Sequence, residues 1–248
     1  MFPEIIVIAG GPHATYVYDE ALDNGIDIVV RFEGEITMLE LVEILEKKGL
    51  DTEALKNVKG IAFRDRENRT VVTPCREFIY DLDKLPFPAR HLLPMERYTV
   101  LGKSIRAAHI MASRGCPYGC IFCSTSYLWG RRLRLRSAKN VADEIEQVVE
   151  KYGARYVIFT DDELTASRKF IYELIDEIKK RGLDIVFTCG ARVNHMDREF
   201  MKFLIENGCV GLYFGVESGS QETLDRICLL YTSPSPRDLS TSRMPSSA

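Results

Sequence analysis

Cys116, Cys120 and Cys123 fall within eight residues of one another, in the phrase Arg114-Gly115-Cys116-Pro117-Tyr118-Gly119-Cys120-Ile121-Phe122-Cys123. The spacing is C-x3-C-x2-C. Thiolates are soft donors that suit iron–sulfur clusters, and a cubane cluster has four irons. Three cysteines from one loop can occupy three corners and leave the fourth iron open to another ligand, which a reactive metal centre requires. Gly115 and Gly119 let the backbone wrap close to such a group. The three cysteines are therefore expected to hold a 4Fe–4S cluster. Zinc is an alternative, with Cys189, Cys209 or His195 as its fourth ligand. Structural zinc usually takes paired C-x2-C arms, however, and this loop offers one. A redox dithiol at Cys120/Cys123 and unligated cysteines are the other readings.

The elements that must position this loop follow from hydrophobic periodicity. His109-Ile110-Met111-Ala112 reads as a strand running into it, which puts the cysteines at the C-terminal edge of a sheet, where barrel chemistry is placed. Downstream, the pattern predicts helices over 138–152, 167–181 and 197–207. They alternate with strands over 155–160, 185–188 and 210–214, as in part of a (β/α) barrel or an open parallel sheet. Only four such strands are present, too few for a closed eight-stranded barrel. Upstream, an apolar run over 5–9 reads as a strand closed by Gly10-Gly11-Pro12. A helix over 14–24, a strand over 26–30 and a helix over 33–48 ended by Gly49 follow. This β-α-β-α segment resembles a piece of a doubly wound layer, and two parallel strands are too few to stand alone. A β-hairpin is expected around Asp65–Asn68, and the stretch 82–94, with Pro86, Pro88 and Pro94, reads as an irregular linker. The expected class is α/β, with divisions at 1–55, 56–104, 105–227 and 228–248.

The last division differs from the rest. From Cys228 to Ala248 the chain is rich in Ser and Pro and lacks periodicity. Its codons can be written as a transposase sequencing adapter followed by a flow-cell end, so 228–248 reads as an adapter-derived, non-native tail on a gene cut short. The chain is likewise expected to begin inside a domain.

Composition narrows the function class. The 248 residues are 46% hydrophobic and 28% charged, with a formal net charge of −3. That charge gives no global attraction to nucleic acid or anionic membrane. No apolar run reaches the roughly 20 residues of a membrane span, and the first residues lack the basic start of an export signal. Seven cysteines without an export signal point away from a disulfide framework and toward the cytoplasm. Arg131, Arg132, Arg134 and Arg136 form a basic run, read as a solvated segment beside the cysteine loop in preference to an RNA or phosphate contact. Cys75, Cys189 and Cys209 read as small hydrophobes.

Several phrases together resemble the radical SAM (S-adenosylmethionine) superfamily, and within it the enzymes carrying an N-terminal cobalamin-binding domain. They are RGCPYGCIFC, FTDDELT (159–165), GVESGS (215–220), IVIAGGPHAT (6–15) and KLPFPARHLLP (84–94). The resemblance covers 1–227. It implies a partial Rossmann-like cobalamin-binding domain followed by a partial radical SAM barrel. It also implies an enzyme whose cluster cleaves SAM reductively to a 5′-deoxyadenosyl radical. The parent protein would be a cobalamin-dependent methyltransferase or a related radical cyclase. Its substrate would be a small molecule, lipid-like or tetrapyrrole-like, and its electron donor a flavodoxin or ferredoxin.

By the same resemblance Asp161, Asp162 and Glu163 sit where the SAM amino group is held, a charge-assisted contact; helix capping is the alternative. Arg192 suits the SAM carboxylate, with a surface ion pair as the alternative. Glu217 matches a polar residue near the ribose or amino acid part, and Phe122 is placed to pack on the adenine. Gly10 and Gly11 resemble the glycine motif along the cobalamin nucleotide tail. The cobalt-ligating histidine of a D-x-H-x-x-G motif has no match in the chain, and His13 does not fit it. A radical SAM methylthiotransferase is an alternative, as is an electron-transfer module without SAM chemistry. The first of these would bring three further cysteines in its N-terminal domain, whereas residues 1–100 hold only Cys75.

Overall fold

The apolar run that opens the chain pairs only at its end. In the computed structural model, which describes residues 5–100 and 105–227, β1 (Ile8–Ala9) runs parallel to β2 (Ile28–Val30), with Ile8 opposite Ile28. The helix expected over 14–24 is two helices, α1 (Gly11–Tyr16) and α2 (Tyr18–Asp23). They break at Val17, whose ψ of 40° is not helical. Pro12 lets α1 start early, since proline fits the first helical turn, where its missing N–H costs nothing. Next come α3 (Glu35–Lys48), ended by Gly49, and α4 (Thr52–Leu55), whose Asp51 cap accepts the N–H groups of Glu53 and Ala54.

The hairpin β3 (Ile61–Arg64) and β4 (Thr70–Val72) joins the same sheet, β3 pairing antiparallel with β2. Strand order is β1-β2-β3-β4, so the hairpin supplies the width that two parallel strands lack. One apolar cluster gathers Ile28, Val30, Leu41, Leu55, Ile61 and Phe63, and a second gathers Ala14, Leu22, Val29 and Ala62. They lie on opposite faces, as alternation along β2 and β3 requires. Among the described residues this compact unit runs to Tyr80, and a second begins at Asp81.

In the second unit the sheet begins with β5 (Ala107–Ile110). A short antiparallel ladder of β6 (Ser113–Arg114) and β7 (Arg134–Leu135) then closes a long loop that carries the three cysteines and α5 (Thr125–Leu128). Gly115 starts that loop at φ 82°, and a Cβ there would lie 2.4 Å from the Arg132 carbonyl. Only glycine fits such a position.

The chain continues through α6 (Ala138–Tyr152), β8 (Tyr156–Phe159), α7 (Arg168–Lys180), β9 (Val186–Ala191), α8 (Arg198–Glu206), β10 (Cys209–Phe214) and α9 (Gln221–Arg226). Ser137, Ser167 and Asp197 cap α6, α7 and α8 by accepting the N–H three residues on. The four long strands are parallel in the order β10-β9-β8-β5, so their C-terminal ends share one edge. Val141, Ile145, Val148, Phe170, Leu174, Phe200 and Leu204 bury the inner stripes of the helices against Val157, Phe159 and Phe187. The expected α/β class with a parallel sheet is what forms.

The proline-rich stretch and the basic run are more buried than their composition suggests. Arg90 lies in a 3₁₀ turn (Arg90–Leu92) and is withdrawn from solvent. It donates to the His109 carbonyl at 2.8 Å and to Glu144 of α6 at 2.6 Å. Arg136 also pairs with Glu144, and it donates to the Met111 carbonyl at 2.9 Å. Arg134 is buried in β7, while Arg131 and Arg132 are exposed. The reading of 131–136 as one solvated segment is therefore corrected: Arg134 is buried and bonded to the Trp129 carbonyl, and Arg136 is held by Glu144 and the Met111 carbonyl. Among the described residues no helix is long and apolar enough to cross a membrane. The tail 228–248 lies outside the described residues.

Candidate metal centre

The cysteine loop rises from the C-terminal end of β5, and the other candidate residues come from the same edge of the sheet. Cys116 and Cys123 are half-buried and Cys120 is buried, and all three are free thiols. Beneath them, α9 contributes Leu224, which packs with Cys120, Cys123, Tyr118 and Val193. The Ile121 N–H reaches the Ile227 carbonyl at 3.2 Å. That α9 packs under the loop follows from tertiary packing that periodicity does not encode.

The segment after β8 divides its three carboxylates. Asp161 turns inward and is buried. It accepts from Ser113 Oγ at 2.5 Å and from the Ala112 N–H at 3.1 Å, joining β8 to the chain just before the loop. Burial pushes its carboxyl up to about 6, against the pull of those hydrogen bonds. Glu163 is also buried, bonded to Thr165 Oγ1 and 3.4 Å from His195 Nδ1. Asp162 is the exposed one of the three, and Thr125 of α5 donates to it at 3.0 Å. Burial of its carboxyl group raises it, and the Thr125 hydroxyl acts in the opposite direction. Glu163 stands at the N-terminal cap position of the 3₁₀ turn Leu164–Ala166 but makes no side-chain cap bond there, and Ser167 caps α7.

Arg192 follows β9. Its guanidinium lies 3.9 Å over the ring of Tyr118, and Nη1 is 3.6 Å from Cys120 Sγ. Burial pushes the Cys116 thiol up; the carboxylates of Glu163 and Asp162 add to this, while the Tyr118 amide and Arg192 oppose it. The loop, the β8 end and the β9 end are thus within electrostatic reach of one another. Glu217, beyond β10, stands apart from them. It is exposed at φ 56°, in the left-handed region, and a Cβ on Gly215 would lie 3.0 Å from its carboxylate. Phe122 is 53% exposed between two of the cysteines. Gly10 and Gly11 lie at the end of β1 in the other unit, both exposed.

The donor set fits a cluster and disfavours a single zinc ion. Three thiols on one glycine-flanked loop can each bind a separate iron, with a guanidinium beside them to offset negative charge. A single ion needs its ligands to converge on one point. The three thiols would leave the fourth position of a zinc tetrahedron to a residue of another segment. Cys189 and Cys209 are part of the hydrophobic core, and the His195 ring is engaged by Tyr118 and Glu163.

The sequence profile of the radical SAM superfamily matches residues 110–233, from the end of β5 onward. The chain belongs to the radical SAM superfamily. It is 36% identical over 225 residues to an uncharacterized methyltransferase of Pyrococcus horikoshii, covering 90% of this chain and 48% of that protein. It is 33% identical over 229 residues to the anaerobic magnesium-protoporphyrin IX monomethyl ester cyclase of Rubrivivax gelatinosus, covering 91% of this chain and 41% of that one. Among solved structures, the cobalamin-dependent S-adenosylmethionine radical enzyme OxsB, with aqua-cobalamin and S-adenosylmethionine bound, has the same fold. The TM-score is 0.75 over 94% of this chain and 34% of OxsB, at 20% identity. This radical SAM chain therefore spans about half the length, or less, of the curated relatives it matches.

Proposed function

We propose that this chain is the cluster-bearing part of a cytoplasmic radical SAM enzyme. The whole protein would be a cobalamin-dependent methyltransferase or a related radical cyclase. The observation that carries the reading is the free-thiol loop Cys116, Cys120 and Cys123 at the C-terminal edge of a parallel sheet, with Asp162 and Arg192 at the ends of the next two strands. A 4Fe–4S cluster bound there supplies the electron that cleaves SAM.

The chain's own residues would bind and orient. Cys116, Cys120 and Cys123 hold three irons. Asp162, exposed and steadied by Thr125, is placed to meet the SAM ammonium; Asp161 and Glu163, both buried and bonded inside the protein, shape the segment that presents it. Arg192 offers a planar donor fork for the SAM carboxylate. Glu217 is held in a backbone conformation that costs roughly 1–3 kcal/mol, the kind of strain found at ligand clamps, and faces the ribose or amino acid part. Phe122 offers an exposed ring to the adenine.

In the first unit, Gly10 and Gly11 fit a closely approaching ligand. Gly11 has φ 91°, and a Cβ there would have nothing within 4 Å. They are proposed to lie along the cobalamin nucleotide tail. The names of the relatives, a methyltransferase and a magnesium-protoporphyrin cyclase, support methyl transfer or ring formation on a small, lipid-like or tetrapyrrole-like substrate; a flavodoxin or ferredoxin is the electron donor we propose. Anaerobic reconstitution with iron and sulfide tests the reading. About four irons and four sulfides per chain, with an electron paramagnetic resonance signal on reduction that changes when SAM is added, are expected. A cluster indifferent to SAM would leave an electron-transfer module, and zinc in place of iron would overturn the reading.

A further inference from the structure

Tyr118 is the middle residue of the segment between Cys116 and Cys120, and its hydroxyl is hydrogen-bonded to His195 Nε2. His195 ends the 3₁₀ turn Val193–His195 that follows β9. On its other side, Nδ1 lies 3.3 Å from Thr165 Oγ1 and 3.4 Å from Glu163 Oε1. The Thr165 hydroxyl donates to the same carboxylate oxygen. With the ring hydrogen on Nδ1, facing the Glu163 carboxyl oxygen, Nε2 accepts and the Tyr118 hydroxyl donates. The backbone of His195 is fastened as well. Its carbonyl accepts from Arg168 at 2.7 Å, and Arg168 pairs with Asp197 at 2.6 Å and lies 4.7 Å over the ring of Phe200.

We propose that His195 is a positioning residue for the cysteine loop, acting through Tyr118 and aligned by Glu163. The imidazole fixes the plane of the Tyr118 ring. That ring carries Arg192 on its face, and Arg192 reaches Cys120. One hydrogen bond therefore sets where the loop, the cation and the buried thiol stand relative to the ends of β8 and β9. The functional value of this device rests on the cluster reading above; the mechanical coupling does not. A net hydrogen bond is worth about 1 kcal/mol, close to a fivefold change in an opening equilibrium.

The test uses the full chain in its reduced, cluster-free form. Alkylation by iodoacetamide is followed at each cysteine by mass spectrometry in wild type, His195→Ala, Tyr118→Phe and His195→Gln. Cys120 is expected to react about fivefold faster in His195→Ala and Tyr118→Phe. In His195→Gln, whose amide keeps a polar group near the hydroxyl, the rate should return to within about twofold of wild type. That rescue would not follow if the ring merely filled space. Exposed Cys75 should not change, and buried Cys189 and Cys209 should stay protected, reporting an intact core. Should His195→Ala expose those two, Tyr118→Phe, which removes a single oxygen, decides the question. Equal Cys120 rates in wild type and Tyr118→Phe overturn the inference. In the reconstituted protein the same variants should lose iron to a chelator about fivefold faster. Failure of wild type to take up iron would count against the cluster reading alone, because the alkylation series still decides the role of His195.

Discussion

Arg90 and Glu144 form an ion pair of 2.6 Å in which both side chains are almost wholly withdrawn from solvent. Arg136 closes on the other carboxylate oxygen. A charge in such a place is tolerated only while it is paired, and removing one partner leaves the others uncompensated. Glu144→Ala, which strands two guanidinium groups, is expected to lower stability by about 3–5 kcal/mol. Replacing Arg90 and Glu144 together by Met and Leu should cost clearly less. The chain has a single tryptophan, Trp129, in the second unit, so urea unfolding followed by its fluorescence reads the relevant transition.

Asp161 gives a pH dependence of definite sign. Its folded carboxyl is pushed up to about 6 by burial, against 3.8 for the ordinary group. The folded state therefore holds the proton more tightly than the unfolded state does. The stability this contributes is full below pH 3.8, falls as the pH rises through about 6, and is absent above that. The difference amounts to about 3 kcal/mol. Asp161→Asn should remove this slope, so the gap in unfolding midpoint between the two proteins should change between pH 4 and pH 6.5 and be flat above. A constant gap across that range would contradict the burial argument.

Gly115 sits where a side chain has no room. Alanine there would adopt an unfavourable positive φ, costing roughly 1–3 kcal/mol, and would press on the Arg132 carbonyl. The Gly130 and Trp129 carbonyls follow at 3.0 and 3.2 Å. Gly115→Ala should shift the emission of Trp129 and at least halve the iron bound on reconstitution, while Gly182→Ala, where a Cβ meets nothing, should do neither.

Much of this was legible in the sequence, and what was not has physical reasons. The helices over 138–152, 167–181 and 197–207 were found to within a residue because caps and apolar stripes are local. The four parallel strands were found from their short apolar runs, although the first was read over 109–112 and forms over 107–110, and the third extends to Ala191. The cysteine spacing pointed to metal chemistry because all three candidate ligands lie on one short loop. The helix over 14–24 was misjudged because the break at Val17 carries no proline or glycine. The burial of Arg90 and Arg136 was missed because both close on Glu144, more than fifty residues from Arg90, and that of Arg134 because it packs back on the Trp129 carbonyl of the loop. Similarly, patterning could not rank Asp161, Asp162 and Glu163; their adjacent positions hide that two face inward and one outward. His195 was weighed only as a metal ligand, since its partners Tyr118 and Glu163 come from other segments.

The central claim is that the Cys116–Cys123 loop holds a cluster that reduces SAM. The most direct measurement is anaerobic: reconstitute the chain with iron and sulfide, reduce it, add SAM and quantify 5′-deoxyadenosine. The account predicts 5′-deoxyadenosine from the wild-type chain and none from Cys116→Ala, Cys120→Ala or Cys123→Ala, with Cys75→Ala unaffected. A wild-type chain that assembles a cluster and binds SAM yet forms no 5′-deoxyadenosine, or cysteine variants that still form it, would contradict the account.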